Sequence, residues 1–145
     1  MLRTFTLGFA GLLVAVGSLA RAEDLLVEVD RTRLHTGLVL LLGADDLKAA
    51  DGLVHTGRYL VRQLVDADRV APLRREALDG GLHGPLSIAA LPADGRLPYP
   101  SRFVDLVVAD PKSPGCPPLA ELHRVTNVGG RLLLRDGDGW KITSR

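Results

Sequence analysis

The chain has 145 residues, 46% of them hydrophobic and 24% charged, which is the composition of one globular domain and excludes a disordered tail. Eighteen Lys and Arg against 17 Asp and Glu give a net charge of +1. There is thus no overall polybasic footprint for nucleic acid, and three Phe, two Tyr and one Trp leave few platforms for stacked bases. The single Cys excludes a disulfide framework and a Cys-based zinc site.

Met1-Leu2-Arg3 gives a short positive start, residues 7–20 form an apolar run, and Ala20-Arg21-Ala22 follows as a small-x-small cleavage pattern. This is the layout of a secretory signal peptide over residues 1–22. Residues 23–145 are then the mature domain, exported to the periplasm or the extracellular space. The apolar run is short for a span of about 20 residues, so no membrane contact is expected after cleavage. No Cys follows the cleavage site, which argues against a lipoprotein. Cleavage removes Arg3 and Arg21 and no acid, turning the balance from +1 to −1.

Residues 23–34 suit either a helix, with Leu25, Leu26 and Val29 on one face, or a short strand; the helix is favoured. Residues 38–42, a continuous apolar run closed by Gly43, read as a strand buried on both faces of a parallel sheet. Residues 45–55 read as a helix, 58–65 as a strand, and 68–78 as a second helix with Pro72 near its start. Strands are expected at 86–91, 103–109 and 131–135, with a helix opened by prolines at 118–125. Strands alternating with helices predict an α/β fold: a Rossmann-like, doubly wound, mostly parallel sheet in three α/β/α layers. The two loosest stretches, 92–102 and 110–118, follow the third and fourth strands, where such sheets carry their ligand loops.

After the first strand, Gly43 permits a tight turn, and Asp45 or Asp46 can cap the next helix. Asp66 follows the second strand roughly 20 residues on, where nucleoside-binding folds place a ribose-binding acid, and a helix cap is the competing role. Two acids at the helix start disfavour a phosphate and tolerate a cation.

Four segments, taken in order, resemble a class I S-adenosylmethionine-dependent methyltransferase of the type 11 group. Val39-Leu40-Leu41-Leu42-Gly43-Ala44-Asp45 stands at the glycine-rich first motif, and Leu64-Val65-Asp66-Ala67-Asp68 at the acidic end of the second strand. Residues 97–108 (LPYPSRFVDLVV) and 119–134 (LAELHRVTNVGGRLLL) resemble two further stretches of the family. The resemblance implies that Gly43, Ala44 and Asp45 line the methionine side of S-adenosylmethionine, Asp66 the ribose, and the loop after Leu91 the adenine. The family's first motif reads G-x-G-x-G; here Asp45 and Leu47 stand at the second and third glycines, and Val128 replaces a proline. The full family fold adds two strands after the fifth, and the chain stops soon after it, so the resemblance implies a truncated, methyltransferase-like domain with a degenerate cofactor site and an unassigned acceptor.

A narrower resemblance joins Gly37-Leu38-Val39, Tyr59-Leu60-Val61, Leu97-Pro98-Tyr99 and Gly139-Trp140-Lys141-Ile142-Thr143. It is to the methyltransferase-like segment of exported pyrroloquinoline-quinone-type β-propeller proteins. It implies the alternative of a non-catalytic Rossmann-like module, with a β-propeller domain or protein as partner.

The remaining motifs read more plainly. Asp110-Pro111-Lys112-Ser113 matches only half of an amino-group methyltransferase motif and reads as a proline turn. His35, His55, His83 and His123 lack metal-ligand spacing. Asp105, inside an apolar strand, is expected to bond neighbouring backbone. Cys116 has no activating neighbour, and no Gly-x-Ser-x-Gly elbow is present.

Overall fold

The computed structural model describes residues 12–145, with side chains from Ala22 onward. Apart from Ala22, the expected signal peptide lies outside the residues whose side chains are described. In chain order the elements are α1 (Leu12–Arg31), β1 (Gly37–Leu42), α2 (Lys48–His55), β2 (Tyr59–Val65) and α3 (Ala67–Asp79). β3 (Leu86–Ala90), β4 (Val104–Ala109), α4 (Leu119–Val125), β5 (Thr126–Asp136) and β6 (Gly139–Ser144) follow.

The six strands form one sheet in the order β3-β2-β1-β4-β5-β6. All neighbours are parallel except the antiparallel β5–β6 pair. From β1 the chain winds outward through β2 to β3, then returns to place β4 on the other side of β1. The seam between β1 and β4 is therefore the switch point of the sheet, and crevices for ligands open outside its carboxyl end.

β1 shows why a continuous apolar run was needed. Val39 and Leu41 join the core beneath α1, α2 and α3, where Leu25, Val29, Leu53 and Leu73 pack. Leu40 and Leu42 face the opposite core with Leu122 and Val125 of α4. The fold is thus three layers with unequal cover: three helices on one face, and one short helix plus loops on the other. Residue by residue, burial of each such side chain contributes about 1.5–3 kcal/mol.

The loop joining β3 to β4 closes the thinner face. Leu97, buried at 2% exposure, donates its N–H to Glu121 Oε1 at 2.8 Å. Arg124, one turn along α4, pairs with Glu121 at 2.6 Å. Its guanidinium also donates to the carbonyls of Leu97 and Tyr99, at 3.1 and 2.9 Å. The two family-like stretches, 97–108 and 119–134, are therefore stitched together by a structural ion pair.

Asp105 has the role expected of it. Its Oδ2 accepts from the Leu38 N–H at 2.9 Å, and its Oδ1 from the Asn127 amide at 3.4 Å. Gly37 lies opposite at φ +140°, where an added Cβ would collide with that carboxylate.

Two element starts, those of α2 and β5, and one whole strand, β6, differ from the sequence reading. α2 starts at Lys48 instead of Asp45, because residues 45–47 form a turn in which Asp46 Oδ1 accepts the Lys48 N–H at 3.0 Å. β5 starts five residues earlier, at Thr126, through a register shift opposite Val104 and Leu106. β6 was not expected at all. Gly137 at φ +58° turns the chain back after β5, and the new strand is mostly exposed, so it lacks a strong apolar signature.

Candidate functional site

The turn after β1 is held from below. Gln63 of β2 is fully buried, and its Nε2 donates to the carbonyls of Ala44 and Asp46 at 3.0 and 2.9 Å. Arg69 of α3 donates to the Asp45 carbonyl at 3.0 Å. Three successive carbonyls of residues 44–46 are thus fixed. Gln63 Oε1 is buried without a hydrogen-bond partner among the described residues. The sequence reading passed over Gln63; its signal was an amide inside an otherwise apolar strand end.

A cavity of about 710 Å³ opens at the carboxyl ends of β1 and β4. That volume lies within the range of small-molecule sites, about 300–1,000 Å³. Leu41, Leu42, Val108 and Ala109 supply its strand-end floor, Leu25 of α1 and Ala49 of α2 one wall, and Trp140 of β6 another. Asp45, Asp46, Asp110, Asp138 and Arg135 supply its charged lining.

Of the four residues the sequence singled out, Gly43, Ala44 and Asp45 line this cavity together. Asp66 does not. It follows β2 as the N-cap residue of α3, exposed, and makes no side-chain capping bond. Val65, one residue earlier, holds the strand end and is buried. Leu47, at one of the family's glycine positions, is 4% exposed and packs in the core.

The space on the other side of Gly43 is filled. Leu42, Gly43, Leu91, Ser113, Pro114 and Cys116 bound it, and it has no room for a water molecule. A Cβ built on Gly43 would stand 3.2 Å from Ser113 Oγ. The proline-rich stretch after β4 therefore lies directly over the first turn. Burial pushes the Cys116 thiol pKa up, and the nearby Asp110 charge adds to this, so the thiol stays protonated at neutral pH.

Asp110, Arg135, Asp138 and Trp140 are cavity residues that the sequence did not identify. Asp110 reads as a proline turn, and its Oδ1 does accept the Lys112 N–H at 2.9 Å, yet the same residue borders the cavity. The other three ride on the unforeseen β5–β6 hairpin, whose Asp136-Gly137-Asp138-Gly139 sequence was the available signal. Arg135 Nε donates to the Gly137 carbonyl at 3.0 Å, and its guanidinium lies 5.1 Å from the centre of the Trp140 ring. Trp140 Nε1 is buried with no acceptor among the described residues. Those residues contain no cluster of metal-ligating side chains and no helix long and apolar enough to cross a membrane.

No protein-family model matches the chain, and no curated protein matches it. Its backbone does resemble solved structures. A Methanococcus maripaludis protein assigned as an S-adenosyl-L-methionine-dependent methyltransferase superposes with a TM-score of 0.69 at 16% identity, over 87% of this chain and 60% of that one. The Streptomyces coelicolor geranyl diphosphate C-methyltransferase, solved with S-adenosyl-L-homocysteine, gives 0.63 at 15% identity, over 79% of this chain and 44% of its own. The [4+2]-cyclase SpnF gives 0.65 at 23% identity, over 79% and 44%. The chain thus has the Rossmann-like fold of the class I S-adenosylmethionine-dependent methyltransferases. It spans 60% or less of the length of these three structures. The presence of a cyclase among them shows that the fold alone does not fix the reaction.

Proposed function

We propose that this chain is a methyltransferase-fold domain whose S-adenosylmethionine site is degenerate, with the nucleoside half closed and the half beside β4 open. The observation that carries this is the filled space between Gly43 and Leu91. By the resemblance, adenine belongs beside the loop after Leu91, and Ser113, Pro114 and Cys116 close in on that side of Gly43. Asp66 stands apart from the open cavity, and the Asp45 side chain stands where the family has glycine. The residues present do not fit the whole cofactor.

Losing one hydrogen bond to a charged acceptor costs about 1.5–3 kcal/mol. A micromolar ligand binds with about 8 kcal/mol, so two such losses move affinity toward millimolar. Calorimetric titration with S-adenosylmethionine is expected to show weak or absent binding. Low-micromolar affinity would overturn the reading. Restoring glycine at 45 and 47 together is not a usable rescue, because Leu47 is a core residue; Asp45→Gly alone is the variant to titrate.

The closed nucleoside half, together with the leader-like residues 1–22, favours a second reading. In it the chain is the non-catalytic module of an exported quinoprotein-type β-propeller protein. Mass spectrometry of the native protein separates the two. A terminus at Glu23 on a polypeptide that also carries propeller sequence supports the module, and an intact Met1 in the cytoplasm removes it.

A further inference from the structure

We propose that the end of the sheet where its parallel strands begin, around the starts of β4 and β5, is a docking surface for an anionic lipid bilayer. Val128 and Phe103 enter the headgroup region there, and Arg102, Arg131 and Arg145 meet the lipid phosphates. The contact is made at the bilayer surface, without a spanning segment. It lies at the opposite end of the strands from the cavity and stands independently of the reading above.

Backbone carbonyls bring these five residues together. The N–H groups of Arg102 and Phe103 donate to the carbonyls of Arg124 and Val125, at 2.9 and 2.8 Å. Arg145 Nη1 donates to the Thr126 carbonyl at 2.6 Å, and Arg131 Nη1 to that of Gly129 at 2.6 Å. Arg102, Arg131 and Arg145 form no ion pair among the described residues. Asp105, the acid of β4, is half-buried and engaged by the Leu38 N–H and the Asn127 amide. Guanidiniums without a carboxylate partner leave a positive field that an anionic leaflet complements. Arg102 also holds φ +61°, a setting that favours glycine, so a cation is kept where a plain turn would not place one. The second feature is apolar. Val128 is 70% exposed, more than any other large hydrophobic side chain among the described residues. Beside it, Gly129 stands at φ +80°, and a Cβ added there would meet nothing within 4 Å, so this turn projects into open space. Phe103, half exposed, is held by stacking on Tyr99, with ring centres 6.0 Å apart. An aliphatic tip and a ring among arginines suit lipid, where apolar groups insert and cations stay at the phosphates. They suit nucleic acid less well, since Val128 offers no face on which a base can stack.

The test mixes the full chain with vesicles of phosphatidylglycerol and phosphatidylcholine in equal parts, and with vesicles of phosphatidylcholine alone. Co-sedimentation is expected to show markedly tighter binding to the anionic vesicles, and that preference should shrink as salt is raised. Arg102→Gly removes a charge and relaxes its backbone, so the fold is kept, and it should weaken binding to the anionic vesicles about fivefold. Val128→Ser should weaken it by about three- to tenfold. The apolar run of residues 7–20 also has an affinity for lipid, so the point of contact is read as well. In vesicles with brominated acyl chains, the Val128→Trp variant should be quenched. Trp140, the sole tryptophan of the unmodified chain, should not be, because it pairs with Arg135 at the far end of the β5–β6 ladder from Arg131. Equal binding to neutral and anionic vesicles, unchanged binding by Arg102→Gly, or no quenching in the Val128→Trp variant would overturn the proposal. So would a chain that ignores anionic vesicles and instead retards an oligonucleotide or pairs with a second copy through this surface.

Discussion

Leu40→Ala is expected to lower the stability of the chain by about 2–5 kcal/mol, among the larger effects of a single core truncation. Leu40 is fully buried in the middle of β1, beside Arg62 of β2 on one side and Val107 of β4 on the other. Its side chain packs with Leu64, Leu122 and Leu132 in the core under α4. A central strand flanked on both sides cannot shift to fill the hole, so a cavity remains and the cost exceeds the transfer term alone. Urea unfolding followed by circular dichroism measures it. A loss below about 0.5 kcal/mol, the size of an ordinary surface substitution, would contradict the buried-strand assignment.

Acid should destabilise the protein through Glu121. The Arg124 guanidinium holds the Glu121 carboxyl at about 2, against an ordinary 4.5, with the Leu97 N–H assisting. The folded state therefore binds this proton less readily than the unfolded chain. The stabilisation is fully present above the unfolded value and is lost as pH falls from about 5 towards 2. Its size is about 1–2 kcal/mol, because solvent reaches the rim of the pair and screens it. Glu121→Gln should remove that component of the acid dependence. It should also loosen the crossing over the thinner face, where Leu97 and Tyr99 are tied to α4. Unfolding free energies at pH 7 and pH 3 for the two proteins give the comparison. An identical pH dependence in both would show that Glu121 is not the titrating group.

The strand and helix pattern was legible wherever burial was two-sided. β1 and β4 announced themselves because both faces of each are almost wholly apolar, and α3 because Leu73 and Ala77 recur on one face. β6 was not legible, since an exposed antiparallel edge carries little hydrophobic pattern, and its only mark was the Asp-Gly turn before it. That single omission hid one wall of the candidate site, because Arg135, Asp138 and Trp140 reach the cavity only when the hairpin folds back. Gly43, Ala44 and Asp45 were legible from a strand followed by a glycine turn. Asp66 was a sound position by spacing, yet spacing along the chain could not show that it would stand exposed at the start of α3, outside the cavity lining.

The pairing of β1 with β4 has a consequence for how the molecule assembles. β1, β2 and β3 follow one another through short crossovers, whereas the Leu38–Asp105 contact across the seam spans 67 residues of chain. Contacts of such separation carry a large loop-closure cost and slow folding. Residues 37–90 thus offer a three-strand unit expected to form early, with the strands from β4 onward docking later against its β1 edge. The cavity takes Gly43 and Asp45 from the early unit and Asp110 and Trp140 from the late one, so it exists only after docking. The emission of Trp140 would time that docking step during refolding.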